Sequence, residues 1–211
     1  MNAEGGDLFA VLRRTGQLTS LNKGQRLFDA GESADAVFLV LSGTVRSSMM
    51  LPDGRRQIVS FHEADELIGI TAAKHYLYSA EAVTKVEART VSRLWLDGLL
   101  HLQPRLCLSL IPRTARHLET AQRHIALVGR MTARARLCSF LLERLRGRAV
   151  LIELPMSRTD IADYLGLSIE TVSRTMTQLR AEGLIRTPTA NTIEVIDPGR
   201  LEGMVQDRAA R

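Results

Sequence analysis

The segment that most constrains this chain is Ser157-Arg-Thr-Asp-Ile-Ala-Asp-Tyr-Leu-Gly-Leu-Ser-Ile-Glu-Thr-Val-Ser-Arg-Thr-Met-Thr-Gln-Leu-Arg180. Ser157 and Ser168 are each placed to accept a bond from backbone amides that lack partners at a helix start, so each can cap a helix, and Gly166 supplies the freedom to turn between them. The spacing predicts two short helices at a fixed angle, a helix-turn-helix. In the second helix Ile169, Val172, Met176 and Leu179 recur as a buried stripe should, which leaves Glu170, Ser173, Arg174 and Thr177 on another face.

That second face has the chemistry of a base reader. Arg174 can donate two bonds to guanine O6 and N7, Glu170 can accept from a cytosine amine, and the Ser173 hydroxyl suits either partner. The first turns of the second helix are where helix-turn-helix proteins touch base edges in the major groove. The hydroxyls of Ser157, Thr159, Ser168, Thr171 and Thr177 are candidates for the DNA backbone. The bland alternative is a helical pair with a solvated polar face.

Downstream, Gly183-Leu-Ile-Arg-Thr-Pro-Thr-Ala-Asn-Thr-Ile-Glu-Val-Ile196 holds two short β-prone runs around Pro188 to Asn191, the pattern of a hairpin and here of a wing. From Leu154 to Ile196 the chain resembles the DNA-binding domain of the CRP/FNR superfamily of bacterial transcription regulators. The run Ile169-Glu170-Thr171-Val172-Ser173-Arg174 is similar to the FNR- and FixK-like branch rather than to CRP. The resemblance implies that Glu170, Ser173 and Arg174 read the bases of a palindrome with TTGAT-like half-sites.

The first hundred residues have a different texture. Gln25 to Glu32, Ala36 to Arg46, Arg56 to Phe61 and Ser79 to Val83 are short β-prone segments separated by glycine turns, and Pro52-Asp-Gly54 marks a hairpin. Many short strands with regular turns predict a small closed β-structure. Ala36 to Val45 is free of charge but too short to span a bilayer, so it reads as a buried strand. The resemblance implies a β-roll sensor domain, carried by Leu51-Pro-Asp-Gly-Arg-Arg-Gln-Ile58 and Glu66-Leu-Ile-Gly69. Cyclic-AMP binders of the superfamily follow this glycine with a glutamate and, about ten residues on, an arginine for the phosphate. Here Ile70 and Tyr78 hold those places. A cyclic phosphate buried without its guanidinium is strongly unfavourable, so no cyclic-AMP binding is expected.

Arg113 to Met131 carries Leu118, Ala121, Ile125 and Val128 in 3-4-3 spacing, the seam of a coiled coil. This predicts a parallel homodimer, the alternative being an amphipathic helix packed on its own domain; in the family the helix linking roll to winged helix is the dimerisation helix. Pro112 would break a helix begun at Arg105, so the seam is expected to start there, and Gly129 reads as a hinge. The resulting architecture is α+β: a β-roll over 1–111, a dimerisation helix and hinge over 112–130, and a winged helix-turn-helix over 131–211.

Charge is uneven between these parts. Residues 1–104 carry 11 Lys and Arg against 12 Asp and Glu, a net of −1, while 105–211 carry 17 against 11, a net of +6. Ten arginines between Arg105 and Arg148 face only Glu119 and Glu143, which suits a surface near phosphates, although a basic run is more often a solvated face.

The cofactor inventory is short. A four-iron cluster needs four thiolates, and the chain has only Cys107 and Cys138, so none is expected within one chain. Cys138, among Leu137, Phe140 and Leu141, reads as a small buried hydrophobe rather than a redox switch. Haem ligation through His62, His75 or His101 stays open, and His117 and His124 read as polar neighbours on a helix, not metal ligands; no metal site is expected. No nucleophile–base pair or phosphate loop points to an enzyme. Glu4 and Asp7 stand where a secretory signal would be basic, so a cytoplasmic protein without membrane contact is expected. The partners implied are double-stranded DNA, a second copy of the chain and RNA polymerase. The rival readings are a redox- or haem-gated regulator on the same fold and a nucleotide sensor whose output is a protein contact.

Overall fold

The computed structural model describes residues 7–145 and 150–206. Glu4, Arg146 and Arg148, which entered the readings of targeting and basic charge, lie outside the described residues. The chain divides into two compact units, residues 1–120 and 121–211.

In the first unit a short helix α1 (Leu8–Arg14) precedes strands β1 (Gln17–Leu21), β2 (Arg26–Phe28), β3 (Ala36–Ser42), β4 (Val45–Met50), β5 (Arg56–His62), β6 (Leu67–Ile68), β7 (Ser79–Ala82) and β8 (Val86–Ser92). They form two four-stranded antiparallel sheets, in the orders β1-β8-β3-β6 and β2-β7-β4-β5. Helix α2 (Arg93–Leu102), capped by Ser92, and a 3-10 turn over Pro104–Ser109 follow. The run from Ala36 to Val45 is two strands rather than one, because Gly43, at a φ of 86°, turns the chain between β3 and β4.

The apolar run in β3 is continuous because both of its faces are buried. Phe38 and Val40 join Phe28, Val45, Ile68, Tyr76 and Ala88 in one cluster. Val37 and Leu39 point the other way, onto Leu8, Phe9 and Leu12 of α1 and Leu96 of α2. Each large side chain buried this way is worth roughly 1.5–3 kcal/mol. The hairpin at Pro52–Gly54 is present: Leu51 N–H donates to Arg55 O at 2.8 Å and Met50 pairs with Arg56.

Helix α3 (Ile111–Arg130) carries the heptad residues and has Pro112 in its first turn, where the missing amide costs nothing. Gly129 lies within this helix, so the break falls instead at Met131–Thr132, where the Thr132 hydroxyl accepts from Ala135 N–H to start α4 (Ala133–Arg144). The second unit continues with β9 (Leu151–Glu153), α5 (Arg158–Leu165), α6 (Ile169–Ala181), β10 (Ile185–Thr189), β11 (Thr192–Val195) and α7 (Pro198–Gln206). Its sheet has the order β10-β11-β9, and its core includes Leu137, Phe140, Leu141, Leu165, Val172 and Leu179. Among the described residues no helix is long and apolar enough to cross a membrane.

Candidate nucleic-acid interface

Helix α5 starts in a capping box. Ser157 Oγ accepts from Asp160 N–H at 3.1 Å, while the Asp160 carboxylate accepts from Ser157 N–H at 3.1 Å and from its hydroxyl at 2.9 Å. The helix ends at Gly166, left-handed at φ 62°, and Arg136 donates to Leu165 O at 2.9 Å. A guanidinium on these last carbonyls satisfies them and complements the helix dipole. The turn is thus held from both sides.

Helix α6 starts at Ser168, whose Oγ accepts from Thr171 N–H at 3.2 Å. Val172, Met176 and Leu179 are buried as the spacing predicts. Ile169 is not: it is 41% exposed, because the first residue of the helix lies beyond the edge of the core, and buried Thr175 completes the stripe, its hydroxyl donating to Thr171 O at 2.7 Å. Outward, Glu170, Arg174 and Thr177 are exposed and Ser173 is half-buried. Glu170 and Arg174 make no side-chain bond or ion pair among the described residues, so two side chains of opposite charge in the first turns of α6 are available to a partner.

The hydroxyls read as backbone contacts are partly committed. Those of Ser157, Ser168 and Thr171 serve the two helix starts, and Thr177 donates to Ser173 O at 3.0 Å; Thr159 is exposed. What these positions keep for a phosphate is a spare lone pair or proton, together with the amides of two helix N-termini. Beside α6, β10 and β11 form the wing, turning at Ala190–Asn191 and tied by Thr189 Oγ1 to Thr192 Oγ1 at 2.7 Å. β9 pairs with the other edge of β11, a strand the motif did not announce.

Several arginines of the basic stretch are structural. Besides Arg136, Arg134 pairs with Glu182, Arg144 lies 3.8 Å over the Phe140 ring, and Arg113 lies 3.6 Å over the Phe9 ring. The seam residues Leu118 and Ile125 are 58% and 71% exposed in the single chain, Ala121 is exposed and Val128 half-buried. His117 and His124 do not pair as polar neighbours on the helix. The His124 ring stacks on Tyr164 at 4.1 Å, and the His117 ring stands 6.2 Å from His62.

In the roll, Ile70 is exposed, and Tyr78 packs against Phe28, which itself stacks on Tyr76 at 3.7 Å. Burial pushes the Tyr78 phenol upward, which keeps the ring neutral. Cys138 is fully buried, and burial pushes its thiol up to about 11, far from a reactive thiolate. His75 and His101 are exposed, and His101 Nδ1 donates to Asp97 O at 2.8 Å.

Residues 135–204 match the Crp-like helix-turn-helix domain, and residues 18–101 match the cyclic nucleotide-binding domain. The nitrogen fixation regulation protein FixK of Rhizobium meliloti is 37% identical over 183 residues, covering 86% of this chain and 83% of that protein. The transcriptional activatory protein AadR of Rhodopseudomonas palustris is 36% identical over 189 residues, covering 85% and 77%. The solved structure of FixK2 from Bradyrhizobium japonicum superposes with a TM-score of 0.83 at 35% identity, covering 90% of this chain and 97% of that one. These relatives are regulators, not enzymes.

Proposed function

We propose, for a chain that belongs to the CRP/FNR superfamily of transcription regulators on its FNR/FixK-like branch, that it binds as a homodimer to a TTGAT-N4-ATCAA-like palindrome. The observation that carries this reading is the outward face of α6, where Glu170 and Arg174 stand exposed and unpaired among the described residues beside Ser173. Arg174 holds the guanine and Glu170 the cytosine of the single G·C pair in each half-site. One chain offers one such helix, so a two-fold site calls for two chains, and the exposed Leu118–Ile125 seam supplies the contact.

The name of AadR, a transcriptional activatory protein, favours an activator; on this reading the dimer acts in the cytoplasm through contact with RNA polymerase. The roll binds no cyclic AMP on this reading. A ligand shifts an equilibrium only through differential affinity, and Tyr78 offers its phosphate no cationic partner. Selecting duplexes from a random pool with the purified full chain tests the proposal. Enrichment of two-fold TTGAT half-sites without added nucleotide is expected; enrichment that needs cyclic AMP, or of sites without two-fold symmetry, would overturn it.

A further inference from the structure

His62 closes β5, Glu66 follows four residues later, and His117 comes from α3. No spacing in the sequence links them, yet the fold brings one ligand atom from each within 4.8 Å of the others. We propose that His62, Glu66 and His117 bind a single divalent transition-metal ion, of the zinc or ferrous class, which joins the roll to the start of α3. This departs from the sequence reading, in which His117 was a polar neighbour of His124 and no metal site was expected.

The donor set defines the cation. Two imidazoles and one carboxylate suit zinc, ferrous, cobalt or nickel ions rather than magnesium or calcium, which prefer oxygen throughout. On a tetrahedral ion with bonds of about 2.0–2.2 Å, ligand atoms stand roughly 3.3–3.5 Å apart, so the closure needed is small. His62 Nδ1 and Glu66 Oε2 are already at 3.1 Å, and His117, exposed on its helix, is free to close the remainder.

A second layer supports the first. Ser47, 1% exposed, holds its Oγ 2.8 Å from His62 Nε2. A metal at Nδ1 requires the proton on Nε2, and this hydroxyl is placed to accept it, fixing tautomer and ring orientation as outer partners of metal-bound histidines do. Glu66 and His117 also line an open cleft of about 370 Å³, which provides an entry path and room for further ligands. Arg113 and Arg116 line the same cleft and oppose a cation, but Arg113 is held by Asp65 O at 2.8 Å and Arg116 by Pro112 O at 3.3 Å. The site is therefore weaker than a thiolate zinc site and opens toward anionic fourth ligands.

The test uses the full chain, stripped of metal with a chelator and titrated with Co²⁺ alone. One ion per chain is expected, with visible ligand-field bands and no thiolate charge-transfer band. His117→Ala and Glu66→Gln, both at positions outside the core, should each weaken binding more than about tenfold, and Ser47→Ala about tenfold. His124→Ala should leave it unchanged. Absence of binding by the wild type, unaltered binding by His117→Ala, or a thiolate band implicating Cys107 or Cys138 would overturn the assignment. A plain His62–Glu66 ion pair corresponds to the first of these outcomes.

Discussion

Replacing Ile125 by glutamate should convert a dimer to monomers without unfolding the chain. Ile125 and Leu118 are 71% and 58% exposed, and full burial of such a side chain is worth ~1.5–3 kcal/mol, so covering each in a two-fold seam yields roughly 1–2 kcal/mol. The four side chains of two copies then contribute about 4–8 kcal/mol. Ile125→Glu removes roughly half of that and sets two carboxylates against each other in the seam. A loss of at least ~3 kcal/mol is expected, above a hundredfold in the dissociation constant. Within one chain the residue is mostly exposed, so the monomer should keep its stability to within about 0.5 kcal/mol. Analytical ultracentrifugation reads the assembly, and circular dichroism melting reads the fold. An undisturbed Ile125→Glu dimer would show that this stripe is not the interface, and a melted one would show that it packs within its own chain.

Two further predictions concern the winged unit. Gly166→Ala places a Cβ 3.3 Å from Val128 Cγ1 on a backbone at φ +62°, so a loss of about 1–2 kcal/mol is expected in denaturant unfolding, and an unchanged midpoint would refute the role of that turn. Burial, followed by the charge of Arg136, holds His124 below the ordinary imidazole value. Its unfolded form takes up a proton first, so the stabilising effect is fully present above ~6.5 and is lost as pH falls through the lower folded value. His124→Phe, which keeps a ring on Tyr164, should flatten the melting temperature between neutral and mildly acid pH; an unchanged slope would assign it to other groups.

The helix-turn-helix was legible because its signals are local: two capping serines, one left-handed glycine and a stripe at helical spacing. Ile169 shows the limit of that spacing, since periodicity gives the direction of a side chain but not where the core ends. β8 was missed because Val86-Glu-Ala-Arg-Thr-Val-Ser alternates buried and exposed residues with much polar character, and its pairing with β3 is long-range. β9 had a signal in Ile152 and Leu154, both buried, but only β11 makes it a strand. Net charge gave the basic stretch, while the capping of α5 by Arg136 and the pairing of Arg134 with Glu182 depend on tertiary neighbours. The His62, Glu66 and His117 group was invisible for the same reason.

Whether α6 reads bases is decided by Arg174→Ala. Binding of wild type and variant to TTGAT-N4-ATCAA, and to duplexes with the G·C pair of each half-site exchanged, is measured at one fixed salt concentration. The wild type should discriminate between these duplexes. The variant should lose ~1–3 kcal/mol per half-site on the first and bind both nearly alike, because a bidentate contact to guanine carries about that much discrimination. Equal losses on every duplex, with a shallower salt dependence, would make Arg174 a phosphate clamp and contradict the account.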